Sequence, residues 1–209
     1  FGVEIIDLYQ VHWPSVAPRK TPIDETLDCL IDLKKQGKIR AIGVSNVSPE
    51  ELREYIDSGE LTSNQPRYNV LNREIEAEIV PICLANQVSI LGYMTLEHAL
   101  LTGQVGLDRQ FGAGEYRSDP EWNPWFTAEN RSRVLQMLAS WKDLTDKYGC
   151  TLAQLAIAWS LAQGGVTVAL CGARRPEQAV ENAAAGDLQL DAEDVARIRR
   201  DAETLGTPT

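Results

Sequence analysis

The sequence predicts an α/β fold in which parallel strands alternate with helices around one hydrophobic core. Five apolar runs of strand length alternate with longer stretches whose apolar residues recur at helical spacing, the pattern of βα units. The 209 residues, 44% of them hydrophobic, are enough for one sizeable core and few enough for one domain. We therefore expect a single domain over residues 1–209.

The charge balance is acidic, with 20 Lys and Arg against 30 Asp and Glu and a formal net charge of -10. Such a surface repels phosphate polymers and anionic lipid, so neither nucleic acid nor a membrane is an expected partner. No run is long and apolar enough to span a membrane, and no signal-like segment is present. The four cysteines lack CxxC or zinc-type spacing. We expect a cytoplasmic protein without a metal site.

The first two βα units carry clear helix signals. The first strand run, residues 5–12, precedes a helix that we expect Thr21 to cap and Gly37 to end. The second run, residues 39–46, is followed by the segment Ser48–Glu51, whose first and last residues have the capping-box spacing. Both helices are expected to pack on the strands that precede them.

The next two units are less regular. A short strand at about residues 64–68 precedes a helix predicted at residues 75–85. The fourth strand run, residues 88–93, leads into an irregular segment at residues 102–126 that is rich in Gly, Asp, Pro and aromatic residues. Loops of this length in compact domains usually have a function or are disordered.

Helices complete the pattern. Two of them, at residues 130–148 and 151–161, precede the fifth strand run at residues 166–171. Two more begin near Pro176 and at Asp191. Five parallel strands fit either an open, doubly wound sheet or part of a closed barrel, and the absence of GxGxxG after any strand weakens the first alternative. In both architectures ligands bind beyond the carboxyl ends of the strands.

Polar and aromatic residues stand at the carboxyl ends of all five runs. They are His12-Trp13-Pro14, Ser45-Asn46, Gln65, Tyr93 and Gly172-Ala173-Arg174-Arg175. Taken singly, each has a structural explanation such as packing or a turn. Only a shared site would require such residues at five successive strand ends, so the set favours a binding site.

These runs resemble motifs of the aldo-keto reductase family, in order and over essentially the whole chain. Residues 6–14, 37–46 and 65–69 resemble the family's fourth, fifth and sixth strands, residues 100–103 resemble the segment after the seventh, and residues 172–178 with Glu181 and Asn182 resemble the phosphate-binding turn and helix after the eighth. The resemblance implies a (β/α)8 TIM barrel, with strands 4–8 present here.

The family's catalytic Asp, Tyr and Lys come from the first three strands, to which nothing in this chain corresponds. The resemblance therefore implies that these three βα units are absent from the chain, which would be the C-terminal two-thirds of a barrel. We expect residues 1–209 alone to be inactive.

The resemblance also implies roles for residues at the strand ends. His12 matches the active-site histidine that helps to orient the substrate carbonyl oxygen. Ser45, Asn46 and Gln65 match residues that bind the nicotinamide carboxamide. Tyr93 matches the aromatic residue that stacks on the nicotinamide ring.

A second group of residues matches the phosphate and adenine positions. Arg174 lies where a basic side chain can pair with the 2′-phosphate of NADPH, and with Arg175 it favours NADP(H) over NAD(H) in an acidic protein. The other implied cofactor-binding residues are Leu96, Gly172, Ala173, Gln178, Glu181 and Asn182.

Three tryptophans, Trp13, Trp122 and Trp125, are candidates for the substrate pocket. For the last two, a lid that packs on its own aromatic residues is an equally good explanation. The chain departs from the family pattern at Met94-Thr95, which replaces Ser-Pro, and at Gly172, where several members have lysine. His98, an unusual residue in this loop, is expected to be exposed rather than catalytic.

The predicted function is that of an NADP(H)-dependent oxidoreductase acting on an aldehyde, a ketone or a sugar carbonyl. An alternative from another class is a barrel that binds NADPH as a sensor or partner-binding module without turnover. A third is a remnant that neither binds nor reacts. The sequence selects no particular substrate, direction of reaction or oligomeric state.

Overall fold

The computed structural model describes residues 2–16, 18 and 20–208. Its five strands form one sheet in the order β1-β2-β3-β4-β5. The strands are β1 (Ile6–Val11), β2 (Ile39–Ser45), β3 (Leu61–Gln65), β4 (Ser89–Gly92) and β5 (Val166–Ala169). Each of the first three strands pairs in parallel with the next. The predicted α/β class with a parallel sheet is confirmed.

Eight α-helices lie within the described part of the chain. They are α1 (Ile23–Lys35), α2 (Pro49–Asp57), α3 (Ile79–Ala85), α4 (Ala128–Ala139), α5 (Lys142–Tyr148), α6 (Leu152–Leu161), α7 (Pro176–Ala184) and α8 (Ala192–Leu205). None of the helices described is both long and apolar enough to cross a membrane.

The chain divides into two compact units. Unit 1 comprises residues 1–67, 73–93 and 164–168, and unit 2 comprises residues 68–72, 94–163 and 169–209. Unit 1 therefore contains β1 to β4, most of β5 and the first three helices, whereas unit 2 contains the other five helices. The single barrel domain and the three preceding βα units stay predictions.

The core of unit 1 lies between the sheet and its helices. Apolar residues from α1, α2, α3 and the strands form one cluster of buried side chains, which includes Leu27, Val44, Leu52, Cys83 and Ile90. Burying each large apolar side chain stabilises the fold by about 1.5–3 kcal/mol. Burial also raises the pKa of the Cys83 thiol to about 11, so this cysteine stays protonated.

The predicted capping box at the start of α2 is confirmed. The Glu51 amide donates to Ser48 Oγ at 3.2 Å, and the Ser48 amide donates to Glu51 Oε2 at 2.9 Å. Two backbone donors that the helix itself cannot pair are thereby satisfied.

Replacing Ser48 with alanine is expected to lower the free energy of unfolding by about 1 kcal/mol, because one of these donors loses its acceptor. Denaturant titration of the full-length protein would measure the change. Ser48→Asp keeps an acceptor at the same position and should retain most of the stability. Equal losses in both variants would contradict the capping explanation.

Two buried tryptophans organise the helices of unit 2. Trp159 of α6 is fully buried, and its indole nitrogen donates to the Val195 carbonyl of α8 at 3.0 Å. The Trp141 indole donates to Asp201 Oδ2 of the same helix at 2.8 Å. Both rings are nearly inaccessible to solvent, and their polar atoms are paired, as burial of indole requires. The last helix is thereby attached to α6 and to the α4–α5 connection.

Two prolines explain why the predicted boundaries of the third strand and of the helix after it are wrong. The third strand was predicted at residues 64–68, but β3 ends at Gln65 because Pro66 has no amide hydrogen to donate. The helix predicted at residues 75–85 is a single 3-10 turn followed by α3. Pro81 prevents a continuous helix, since its ring would clash with the carbonyl of the residue four positions earlier.

Two further helix predictions need correction. The helix predicted at residues 130–148 is two helices, α4 and α5, interrupted where Ser140 Oγ donates to the Met137 carbonyl. Thr21 does not cap α1, because the helix begins one residue later than predicted, with Pro22 at its boundary. Instead, the Thr21 amide donates to Ser15 Oγ at 2.7 Å, and Ser15 Oγ donates to the Thr21 carbonyl at 2.8 Å.

Candidate functional site

Four of the residues predicted from the strand ends of unit 1 form one hydrogen-bonded cluster. Ser45 Oγ donates to the Gln65 carbonyl at 2.6 Å. Asn46 Nδ2 donates to Ser45 Oγ at 3.0 Å and to the His12 carbonyl at 2.9 Å. The Tyr93 hydroxyl donates to Asn46 Oδ1 at 2.7 Å. Ser45, Asn46, Gln65 and Tyr93 are therefore adjacent, and they contact His12 through its main chain.

Asn46 is the centre of this cluster. Its backbone is left-handed, with φ of 57°, a conformation that asparagine adopts more readily than most residues. Hydrogen bonds to both ends of its side-chain amide fix which atom is oxygen and which is nitrogen. A fixed amide beside a partly buried tyrosine ring can orient a flat ligand that carries its own amide group.

His12 and Trp13 differ from the rest of the cluster in exposure. The His12 ring is exposed, and its centroid is 6.4 Å from that of Trp13, which is 57% exposed. Both rings thus remain accessible to a small molecule at the carboxyl end of β1.

Two polar residues beside the cluster, Gln10 and Ser63, were missed by sequence reasoning. Gln65 Nε2 donates to Gln10 Oε1 at 2.9 Å. Gln10 Nε2 and Ser63 Oγ are buried and have no hydrogen-bond partner among the described residues. A usable signal existed: each stands two positions before a predicted strand-end residue, and residues two apart in a strand share a face.

Gly43 is required because its strand passes close to these two side chains. A Cβ atom at this position would lie 2.8 Å from Gln10 Cγ and nearer still to Ser63 Oγ. Gly43 also pairs with Gln10 in the parallel register of β1 and β2. The glycine therefore leaves room for the side chain that contacts Gln65.

Gly43→Ala is expected to cost about 1–3 kcal/mol of stability by overpacking and to raise the KM for the nicotinamide cofactor that the family resemblance implies, because Gln10 must move away from Gln65. Steady-state kinetics and denaturant titration would measure the two effects. Gly164→Ala, also in unit 1, adds a methyl group where nothing lies within 4 Å and serves as the control. A variant with normal stability and normal KM would refute the prediction.

Unit 2 contains a cavity of about 650 Å³ that brings together several of the predicted phosphate and adenine residues. The loops 94–99, 115–117 and 170–174 line it, together with Gln178. Predicted residues Leu96, Gly172, Ala173 and Arg174 lie on its wall. The Arg174 amide donates to Gln178 Oε1 at 2.8 Å, which holds the turn against α7.

Glu181 and Asn182 lie outside the lining of this cavity. Asn182 Nδ2 contacts the Gly172 carbonyl at 3.4 Å, so it supports the same turn. Glu181 Oε1 accepts from Thr151 Oγ at 2.8 Å, and its carbonyl accepts from Gln154, which connects α7 to the start of α6. Asn182 therefore supports the turn on the cavity wall, whereas Glu181 fixes α7, the helix that contributes Gln178 to that wall.

The cavity offers the groups that a phosphate requires. Arg174 is exposed, and its guanidinium pairs with no acidic residue in the part of the chain described. The first turn of α7 has no side-chain cap at Arg175, but Pro176 has no amide hydrogen and the Gln178 amide donates to the Arg175 carbonyl, so the Arg174 guanidinium is the main group offered to an anion. Burial raises the pKa of the Cys171 thiol on the same wall, which keeps that group neutral and unreactive.

A left-handed loop forms one side of this cavity. Met94, Glu97, His98 and Ala99 have φ values of 57°, 45°, 49° and 73°. Residues without a glycine's freedom rarely adopt such values, and runs of them persist only where surrounding contacts enforce them. The loop conformation is therefore set by its contacts.

The buried carboxyl group of Glu97 supplies these contacts, and no local pattern in the sequence indicates its burial. The side chain is inaccessible to solvent, and its Oε2 accepts from Asn69 Nδ2 and Asn72 Nδ2, each at 2.7 Å. Asn69 Nδ2 also donates to the Met94 carbonyl at 2.9 Å. The segment 68–72 thus binds the loop at two points.

The prediction that His98 is exposed is wrong. Its ring is half-buried, 5.1 Å from the Tyr116 ring and 6.1 Å from the Phe126 ring, because residues 102–126 fold back over it. In the same segment Trp125 is 4% exposed and packs inside the loop, whereas Trp122 is 59% exposed.

The described residues include no group of three or more His, Cys, Asp or Glu suited to a metal ion.

Residues 1–203 match the model of the aldo/keto reductase family. The chain belongs to the aldo-keto reductase family. It is 42% identical over 204 residues to the NADH-specific methylglyoxal reductase of Escherichia coli (strain K12), covering 98% of this chain and 61% of the relative. It is 38% identical over 176 residues to the aldo-keto reductase YhdN of Bacillus subtilis (strain 168), covering 84% of this chain and 51% of that protein.

A solved structure gives the same assignment. The glycerol dehydrogenase AKR11B4 from Gluconobacter oxydans superposes with a TM-score of 0.87 at 34% identity, covering 99% of this chain and 61% of that one. Family membership and this likeness imply the (β/α)8 barrel fold. This aldo-keto reductase chain spans about three fifths of the length of the methylglyoxal reductase and of the glycerol dehydrogenase.

Proposed function

We propose that the protein is an oxidoreductase that transfers hydride between a nicotinamide cofactor and a small-molecule carbonyl group. The observation that carries the proposal is the cluster formed by Ser45, Asn46, Gln65 and Tyr93 at the strand ends of a family member. A polar cluster held by its own hydrogen bonds is already arranged before a ligand arrives, which lowers the cost of binding.

Each member of the cluster has a proposed task. Ser45, Asn46 and Gln65 bind the carboxamide and thereby select the face of the nicotinamide that meets the substrate. The Tyr93 ring packs against the nicotinamide, while its hydroxyl stays bonded to Asn46. The bound nicotinamide supplies or accepts the hydride. His12 donates to the substrate carbonyl oxygen, where negative charge develops.

We propose NADP(H) as the cofactor. Arg174 on the cavity wall has no acidic partner among the described residues, so its guanidinium is available to a 2′-phosphate. Relatives differ in this respect. The Escherichia coli protein is named as NADH-specific, whereas a relative from Schizosaccharomyces pombe, 29% identical, carries NADP(+) in its name. The ratio of kcat/KM for NADPH and NADH measures the preference.

The proposed substrates are small aldehydes, ketones or sugars. The names of the two relatives refer to methylglyoxal and to glycerol, a carbonyl compound and an alcohol. The Trp13 side chain at the carboxyl end of β1 is 57% exposed and offers apolar surface to the carbon skeleton of such compounds. Trp125 is buried and is not proposed to contact substrate.

The test uses the full-length protein with NADPH and methylglyoxal, and with NADP+ and glycerol, while the nicotinamide absorbance is followed. Turnover that requires both cofactor and substrate would support the proposal. Quenching of tryptophan fluorescence by NADPH without turnover of a panel of aldehydes would contradict it and favour a binding or sensor module. Asn46→Ala removes the centre of the cluster. This variant should lose both the turnover and the quenching of tryptophan fluorescence by NADPH.

A further inference from the structure

A second cavity in unit 2 has an unusual charge. It measures about 320 Å³ and lies between the segment 109–127 and the helix α4. Three arginines line it, Arg109, Arg117 and Arg131, and no acidic residue does so in the described structure. This concentration of cations contrasts with the protein's formal net charge of -10.

Arg131 is the most deeply buried of the three. It is 6% exposed, and one terminal nitrogen donates to the carbonyls of Gly106 and Arg109 at 3.0 and 2.9 Å. Its Nε is buried and pairs with no atom of the described residues. A buried cationic donor without an acceptor costs free energy, so this nitrogen favours an anionic partner in the cavity.

Asn123 presents an unpaired acceptor to the same cavity. This side chain is inaccessible to solvent, and its Nδ2 donates to the Tyr116 carbonyl at 2.8 Å. That bond assigns the other atom as oxygen, and Asn123 Oδ1 is buried without a partner among the described residues. The cavity therefore offers one buried acceptor beside several donors.

An aromatic ring holds two of the guanidinium groups in place. The guanidinium carbons of Arg117 and Arg131 lie 4.9 and 5.0 Å from the centroid of the Phe111 ring. Arg117 also pairs with Glu115, whereas Arg109 is exposed and has no ion pair among the described residues. The three guanidinium groups of the cavity and the Glu115 carboxylate together carry a net charge of two positive units.

We propose that this cavity binds a small oxyanion with two negative charges, namely a phosphate group or a simple phosphate monoester. Arg131 Nε and the Arg109 guanidinium donate to its oxygens, and Asn123 Oδ1 accepts from a hydroxyl group of the ligand. Arg117 lines both this cavity and the one that contains Arg174, so it connects the two. Arg174 itself does not line the proposed phosphate cavity.

The test is a calorimetric titration of the cofactor-free, full-length protein with inorganic phosphate. The first variant is Arg109→Gln, because the exposed Arg109 side chain has no hydrogen bond or ion pair in the described structure and its loss should not affect folding. The second is Arg131→Lys, which keeps the charge but lacks Nε. The control is Arg133→Gln on the same helix, where Arg133 bonds to Asn130 Oδ1 at 2.7 Å.

Each of the two cavity variants is expected to weaken phosphate binding by about tenfold, the effect of one charge-assisted hydrogen bond, and the control by much less. Arg174→Gln should leave this phosphate site occupied, because it removes only the guanidinium of the other cavity. Phosphate binding that disappears in Arg174→Gln and persists in Arg109→Gln and Arg131→Lys would overturn the proposal. So would the absence of binding to the unmodified protein.

Two other anions separate the proposed chemistry from nonspecific attraction. Acetate carries one charge and should bind more weakly than phosphate. Sulfate carries two charges but, at neutral pH, has no hydrogen that it could donate to Asn123 Oδ1. Its affinity should therefore lie between those of acetate and phosphate. Equal affinities for all three anions would contradict a site built for phosphate.

Discussion

Replacing Arg174 with glutamine is expected to lower kcat/KM for NADPH by about 10- to 100-fold, the value of a hydrogen bond to a charged group. The guanidinium is exposed, lines the larger cavity of unit 2 and pairs with no acid among the described residues. Because no acidic side chain of the described residues competes for it, most of its interaction energy is available to the 2′-phosphate of the proposed cofactor. NADH lacks that phosphate, so its kcat/KM should change little.

Arg175→Gln is the matched control. This neighbour carries the same charge but does not line the cavity, so a smaller loss is expected. Equal losses in the two variants would show that the local charge matters rather than one ion pair. A wild-type preference for NADH would contradict the proposed cofactor directly, whatever the variants do. Steady-state kinetics with both cofactors measures every one of these outcomes.

The sequence predicted which strand-end residues lie side by side, because chain order alone determines that adjacency. Parallel strands that are neighbours in a sheet bring their carboxyl ends to one edge, so Ser45, Asn46 and Gln65 had to meet once the strand order was known. The Ser48–Glu51 capping box was predicted equally well, because its partners are three residues apart, and the structure contains it.

Features that depend on distant partners were not predicted. The burial of Glu97 depends on Asn69 and Asn72, which lie more than twenty residues earlier in the chain. Nothing local distinguishes this glutamate from an exposed one. The error at His98 has the same origin, because the rings that cover it come from residues 116 and 126.

Pro81 is a different case, because its effect was visible in the sequence. A proline in the middle of a helical pattern predicts an interruption, whereas the continuous helix predicted at residues 75–85 takes no account of Pro81. In the structure α3 begins at Ile79, so that Pro81 lies in its first turn, where the missing amide hydrogen and the bulk of the ring are tolerated. Backbone chemistry outweighed side-chain pattern at this position.

Replacing Glu97 with alanine is expected to cost about 3 kcal/mol of unfolding free energy, because it leaves two buried amide donors of Asn69 and Asn72 without their acceptor. Glu97→Gln keeps one oxygen that both amides can reach, so its loss should be clearly smaller. Glu121→Ala removes an exposed glutamate from the same unit and should leave stability almost unchanged. Denaturant titration of the three variants measures the order.

The same variants separate support of the cavity from general stability. Glu97 holds a loop whose residues Met94 and Ala99 line the cavity in a left-handed conformation, and that conformation needs its contacts to persist. In Glu97→Ala the folded protein should therefore bind 2′,5′-ADP more weakly, whereas Glu97→Gln should bind it nearly as well as wild type. A destabilised Glu97→Ala protein with unchanged affinity for this cofactor fragment would mean that the carboxyl group stabilises unit 2 without shaping the cavity.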